Sequence, residues 1–226
     1  IAATSGSGGE LQRGLDVGAN GEVAVAGAVS SGHNFPEVNP IAGQSCTESP
    51  DPFLDRTDPF VALFASDGTL EFSSCVGGDN DSRIEWGRAV AIDDLGRLAL
   101  MGTTNATDFP VFNPIQSAPG YTGSRDMFIT VIDPLATPAE LAFSTYYGPP
   151  AAGSVAVGPS GSSGQRYFPS DIAVDGVGNI AVTGLTNEVS FPTVNAFQRN
   201  LRTPRQSYDL GSQSPSQTSE LFVTRV

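Results

Sequence analysis

Apolar and polar positions alternate in short runs, and the runs recur three times in the same order. Leu15 and Val17 share one face of an extended segment, as do Val90 and Ile92, and Ile172 and Val174. A tight turn containing Gly21, Gly96 or Gly178 follows each. A second alternating run then carries Val23 and Val25, Leu98 and Leu100, or Ile180 and Val182 on one face, with Ala24, Ala99 or Ala181 on the other. Period-two alternation bounded by turn residues predicts a pair of antiparallel strands, A and B, in every copy. A small alanine on the second face lets a neighbouring sheet approach closely.

A third run is apolar on both faces: 58–64, 126–132 and 220–226. Such a strand C is expected to lie between two other sheets. A fourth, strand D, is read at 70–77 and 141–148. The third copy lacks it, and residues 1–6 fall in the register of Phe72 to Gly77 and Phe143 to Gly148. The expected architecture over 1–226 is therefore all-β, a β-propeller of four-stranded antiparallel blades. The blades span 11–78, 86–148 and 168–226, with strand D at 1–6 completing the last. Three blades are fewer than the usual four to eight. A larger propeller, a ring closed between chains and an unusually small ring all remain open at this point.

The second copy reads Ala-Ile-Asp-x-x-Gly-x-x-x-x-x-Gly-x-Thr-Asn over 91–105, followed by Asp108-Phe109-Pro110, Asp126-Met127-Phe128 and Phe143-Ser144-Thr145-Tyr146-Tyr147-Gly148. This resembles the SBBP type of β-propeller repeat of bacterial secreted and surface proteins. The first copy departs from the pattern, with Gly18 at the Asp position and Ser30-Ser31-Gly32 interrupting the Thr-Asn segment. The resemblance implies an exported, noncatalytic module and carries no catalytic residue onto this chain.

Connections differ in length. A-to-B and C-to-D turns are short, whereas the B-to-C connections, 30–57, 104–125 and 186–219, and the D-to-A stretch 149–170 are long. In an up-and-down blade these long connections leave at one end, so all elaboration is expected on one face, which reads as the surface for a protein partner or assembly subunit.

Charge and composition narrow the classes. There are 11 basic residues, all Arg, against 24 acidic ones, for a net charge of −13. A surface of that sign repels nucleic acid. No run approaches the ~20 apolar residues of a membrane span. The start, Ile1-Ala2-Ala3, has neither an initiator Met nor a charged leader segment, and reads as the start of a processed or trimmed soluble chain.

Candidate chemistry is sparse. His33 is the single histidine, so a multi-histidine zinc site is excluded and a catalytic triad has one potential base, itself in a Gly-containing loop. No catalytic residue and no cofactor site is assigned. Asp79, Asn80 and Asp81 are the metal candidates, closely spaced oxygen donors of the kind calcium uses, without the full EF-hand spacing. Asp93 and Asp175 are read as hydrogen-bonding their own turns. Trp86 precedes strand A where Leu11 and Phe168 stand in the other copies, which favours packing between blades over a sugar-stacking platform. Phe35, Phe109 and Phe191, each before Pro, read as a repeated wedge. Asn80-Asp81-Ser82 and Asn105-Ala106-Thr107 match the glycosylation sequon.

Cys46 and Cys75 permit one disulfide or two buried thiols. Cys46 sits in the B-to-C connection and Cys75 near the end of strand D of the same blade, which runs toward that connection, so a bridge between them is expected. Two functional readings follow. The first is an extracellular, cell-surface or periplasmic module that is structural or binds protein. The second is a carbohydrate-binding or hydrolytic propeller using acidic loop residues.

Overall fold

The computed structural model describes residues 11–30, 35–46, 57–78, 84–120, 125–148, 167–186 and 220–225. They form β1 (Leu11–Val17), β2 (Val23–Ser30), β3 (Thr57–Phe64), β4 (Leu70–Cys75), β5 (Trp86–Ile92), β6 (Leu98–Thr104), β7 (Asp126–Asp133), β8 (Glu140–Tyr147), β9 (Tyr167–Val174), β10 (Ile180–Thr186) and β11 (Glu220–Arg225). No helix occurs among the described residues.

The strands make two four-stranded sheets, β1-β2-β3-β4 and β5-β6-β7-β8, and a three-stranded one, β9-β10-β11. All pairings are antiparallel and follow the A, B, C, D order. The turn glycines of the A-to-B hairpins have the positive φ that this turn requires, 89° at Gly21, 78° at Gly96 and 84° at Gly178. Asp93 and Asp175 cap their own turns as expected. Oδ1 of Asp93 accepts from the Leu95 and Arg97 amides, and Oδ1 of Asp175 from those of Val177 and Asn179.

Strand A carries a bulge at one place in every sheet, leaving Arg13, Arg88 or Ser170 outside the ladder. Bulges re-aim side chains. In the second sheet this directs the Arg88 guanidinium over the Trp86 ring, 4.6 Å from its centroid.

The second sheet lies between the other two, with β5 packed on β1, β2 and β3, and β9 packed on β5, β6 and β7. The first core joins Ala24, Ala26, Val61 and Leu63 of the first sheet to Val90, Leu98, Leu100 and Phe128 of the second. The second core joins Ala99, Met101, Ile129 and Val131 of the second sheet to Ile172, Ile180 and Val182 of the third. In both joints the small residues of one strand B face the large residues of the next, as the alanine pattern predicts. Strands approach so closely that a Cβ on Gly87 would lie 2.5 Å from the Gly27 carbonyl oxygen.

One expectation fails in part. β3 and β7 are covered on both faces, but β11 buries Phe222 while Leu221 and Val223 are 70% and 73% exposed. The physical reason is that no described sheet covers the far side of the third one. On the other outer face, Leu15 and Val17 are 60% exposed.

Candidate functional site

Polar side chains gather at the end of the sheets from which the long connections leave. Glu85, fully buried, lies just ahead of β5. Its Oε2 accepts from the Gly78 amide at 3.1 Å, and its Oε1 from the Thr104 hydroxyl at 2.5 Å. Its own amide donates to the Thr57 carbonyl at 3.0 Å. One carboxylate thus ties the exit of β4 to the exit of β6. Asp126, also fully buried, accepts from the Gly120 amide at 2.8 Å. Asp58, 6% exposed, holds the same position at the start of β3.

Tyr146 stands behind this set. Its hydroxyl donates to the Ala106 carbonyl and accepts from the Phe109 amide, each at 2.9 Å. Burial pushes its pKa up to about 12, and the charges of Glu85, Asp108 and Asp126 push in the same direction. Phe109 stacks on Phe128 with centroids 4.5 Å apart. Phe35 meets Phe60 at 4.9 Å in the first sheet. Both wedges are therefore core; Phe191 lies outside the described residues. Trp86 has the cations of Arg88 and Arg125, 4.6 Å and 5.8 Å from its centroid, against it.

Where the second sheet uses Tyr146, the first has Cys75 at the same repeat position. Cys75 is joined to Cys46, with Cα atoms 5.1 Å apart. Two chemistries fasten the B-to-C connection to strand D. These connections do not simply stand up from one face, which corrects the sequence expectation. Residue Val38 runs down the outer edge opposite Ser73, and Phe112 does the same opposite Ser144. The first connection turns at Asn39, φ 47°, and its Nδ2 donates to the Pro134 and Ala136 carbonyls at the opposite end of the next sheet. The chain is then led back to Gln44, whose Oε1 accepts from the Gly77 amide. The first connection doubles as a clamp because a left-handed Asn reaches carbonyls of the neighbouring sheet and the Gln44 carboxamide reaches an amide that strand pairing leaves open.

Asp79, Asn80, Asp81 and His33 lie outside the described residues. Among the described residues no three His, Cys, Asp or Glu side chains group as a metal site. Asn105, of the second sequon, accepts from the Ile84 amide through Oδ1 at 2.7 Å. Glu85 gave no signal in the sequence, being a lone acid before a tryptophan.

Residues 143–192 match the SBBP β-propeller repeat family. Over those residues the chain is similar to an SBBP β-propeller repeat. The match begins in β8, runs through β9 and β10, and ends at Pro192, so the SBBP unit is phased D, A, B. In the same phase the earlier copies begin at Phe72 and at Ile1. No curated protein matches the chain.

Proposed function

We propose that this chain is a noncatalytic propeller module, exported from the cell, that acts as a structural or protein-binding element through its long connections. One observation carries the reading: the buried carboxylates at the connection end are engaged by the fold itself. Glu85 and Asp126 are fully buried and accept from Gly78, Thr104 and Gly120. A catalytic pair needs access to substrate. The disulfide supports an oxidising compartment. No helix among the described residues is long and apolar enough to cross a membrane.

The hydrolytic alternative draws on the convergence of Glu85, Asp108 and Asp126 charges on Tyr146. Chromogenic glycosides offered to the wild-type chain and to Glu85→Gln and Asp126→Asn separate the readings. The module reading expects no turnover by any of them and lower unfolding midpoints for the variants. Turnover by the wild type, lost in a variant whose midpoint is unchanged, overturns it.

A further inference from the structure

The first A-to-B hairpin is capped from the opposite end to the other two. In the second, Asp93 accepts from the Leu95 and Arg97 amides through Oδ1 and from Nε of Arg97 through Oδ2 at 2.7 Å. In the third, Asp175 does the same for the Val177 and Asn179 amides, with Nδ2 of Asn179 on Oδ2 at 2.6 Å. The first hairpin, Gly18-Ala19-Asn20-Gly21-Glu22, has Gly at the Asp position and Glu where Arg97 and Asn179 stand. Its carboxylate comes from the far end of the turn. Oε2 of Glu22 accepts from the Asn20 amide at 3.1 Å, the counterpart of the Leu95 and Val177 amides. A Cβ on Gly18 would lie 2.7 Å from that oxygen, and Gly18 has no positive φ, so glycine is there for room.

Glu22 also makes a contact that the aspartate caps lack. Its Oε1 accepts from Nδ2 of Asn20 at 2.9 Å. Asn20 is exposed, and with Gly21 it forms the one Asn-Gly of the sequence. Without a Cβ, the Gly amide nitrogen is unobstructed and its backbone turns freely toward the preceding carboxamide, which is what cyclic imide formation needs. Both reacting groups are engaged here: the carboxamide by Glu22, and the Gly21 amide by the Gly18 carbonyl at 3.1 Å. The Asn20 carboxamide first, then backbone amides, hold the Glu22 carboxyl below its ordinary 4.5. The restraining group is therefore ionised at the alkaline pH that frees an amide nitrogen of its proton.

We propose that Asn20 is a site of enzyme-free covalent modification, and that Glu22 sets its rate by holding the carboxamide. The Gly21 nitrogen bonds to Cγ of Asn20 and gives up its proton. The bond from Cγ to Nδ2 breaks, and ammonia leaves with that proton, closing the imide. Water then opens the imide at either carbonyl, giving aspartate or isoaspartate at position 20 with no oxidant or reductant. Either product sets a carboxylate, which only accepts hydrogen bonds, against the Glu22 carboxylate. Repulsion replaces the bond, so a single event loosens the tip of the first hairpin and water does not reverse it.

The test follows the tryptic peptide carrying Asn20 while the full chain is held at mildly alkaline pH, reading the mass shift from amide to acid and the isoaspartate formed. Each hydrogen bond that must open slows the step by about tenfold, so the wild type should react on the order of a hundredfold faster in urea than folded. Glu22→Ala should react about tenfold faster than the folded wild type. Gly18→Asp combined with Glu22→Asn rebuilds the cap of the third hairpin, keeping the Asn20 amide bonded and leaving its carboxamide unheld. That chain should melt with the wild type yet react as fast as Glu22→Ala. Glu22→Gln, which keeps the acceptor without its charge, should fall between, and decides the matter if the recapped chain melts lower. Asn20→Asp should lower the melting temperature, and adding Glu22→Gln should restore it. No reaction in urea, equal rates folded and in urea, or a Glu22 series reacting no faster than the wild type overturns the proposal.

Discussion

Removing the Cys46–Cys75 bridge is expected to weaken the first sheet by an amount set by the loop it closes. The two residues are 29 apart in sequence, and in the chain-entropy treatment a loop of that length stabilises the native state by about 3.6 kcal/mol. The closed segment runs from the later part of the B-to-C connection through β3 and β4. Besides the bridge, that connection is held to strand D by the Val38–Ser73 pairing and by the Gln44 carboxamide on the Gly77 amide. Those contacts persist in Cys46→Ala combined with Cys75→Ala, so the variant should fold. At about 2 to 4 °C per kcal/mol for a chain of this size, its melting temperature should fall by roughly 7 to 14 °C. Urea unfolding followed by circular dichroism, with and without reductant, is the assay. The wild type should lose its advantage on reduction, and the double variant should ignore the reductant. A double variant as stable as the oxidised wild type would refute the loop-entropy reasoning and leave the bridge mechanically idle.

Ile41→Ala is expected to cost about 2 to 4 kcal/mol because Ile41 is buried in the first core, whereas Ile115→Ala, at a side chain 65% exposed, should stay within about 0.5 kcal/mol; equal losses in urea titrations would contradict the packing of Ile41 against the second sheet. Tyr146 ionises at about 12 folded against 10.0 normally, so its stabilising contribution is complete below pH 10 and is lost as pH rises to about 12. That loss is about 2 to 3 kcal/mol, and it should be missing from the alkaline unfolding profile of Tyr146→Phe. The Asn179 carboxamide, with backbone amides, holds the Asp175 carboxyl below its ordinary 3.8. Its contribution is present above that value and disappears as pH falls through the folded pKa, so Asp175→Asn should flatten the acid limb of the stability curve below about pH 4.

Much of the scaffold was legible from period and punctuation. Leu98, Ala99 and Leu100 announce which face meets which neighbour, and Gly96 and Gly178 mark the hairpins, because these choices are local. The clamps were not legible. Asn39-Pro40-Ile41 and Asn113-Pro114-Ile115 are visibly a repeat, yet nothing in three residues tells that Asn39 adopts a left-handed turn and reaches the carbonyls of Pro134 and Ala136, which are distant in sequence. The exchange of Tyr146 for a disulfide at the Cys75 position likewise depends on tertiary placement. Glu85 is the extreme case: its burial and its three strand-end partners arise from the packing of two sheets, with no local pattern to announce them. The uncovered Leu221 and Val223 follow the same logic in reverse, since their alternation specifies a buried face without specifying what covers it.

A crystal structure of the full chain tests the central claim most directly. The account predicts that the carboxylates of Glu85 and Asp126 are enclosed and bonded to the Gly78, Thr104 and Gly120 donors, with Cys46 and Cys75 bridged. Glu85 and Asp126 side by side in a solvent-open cleft, or free thiols at Cys46 and Cys75, would contradict it.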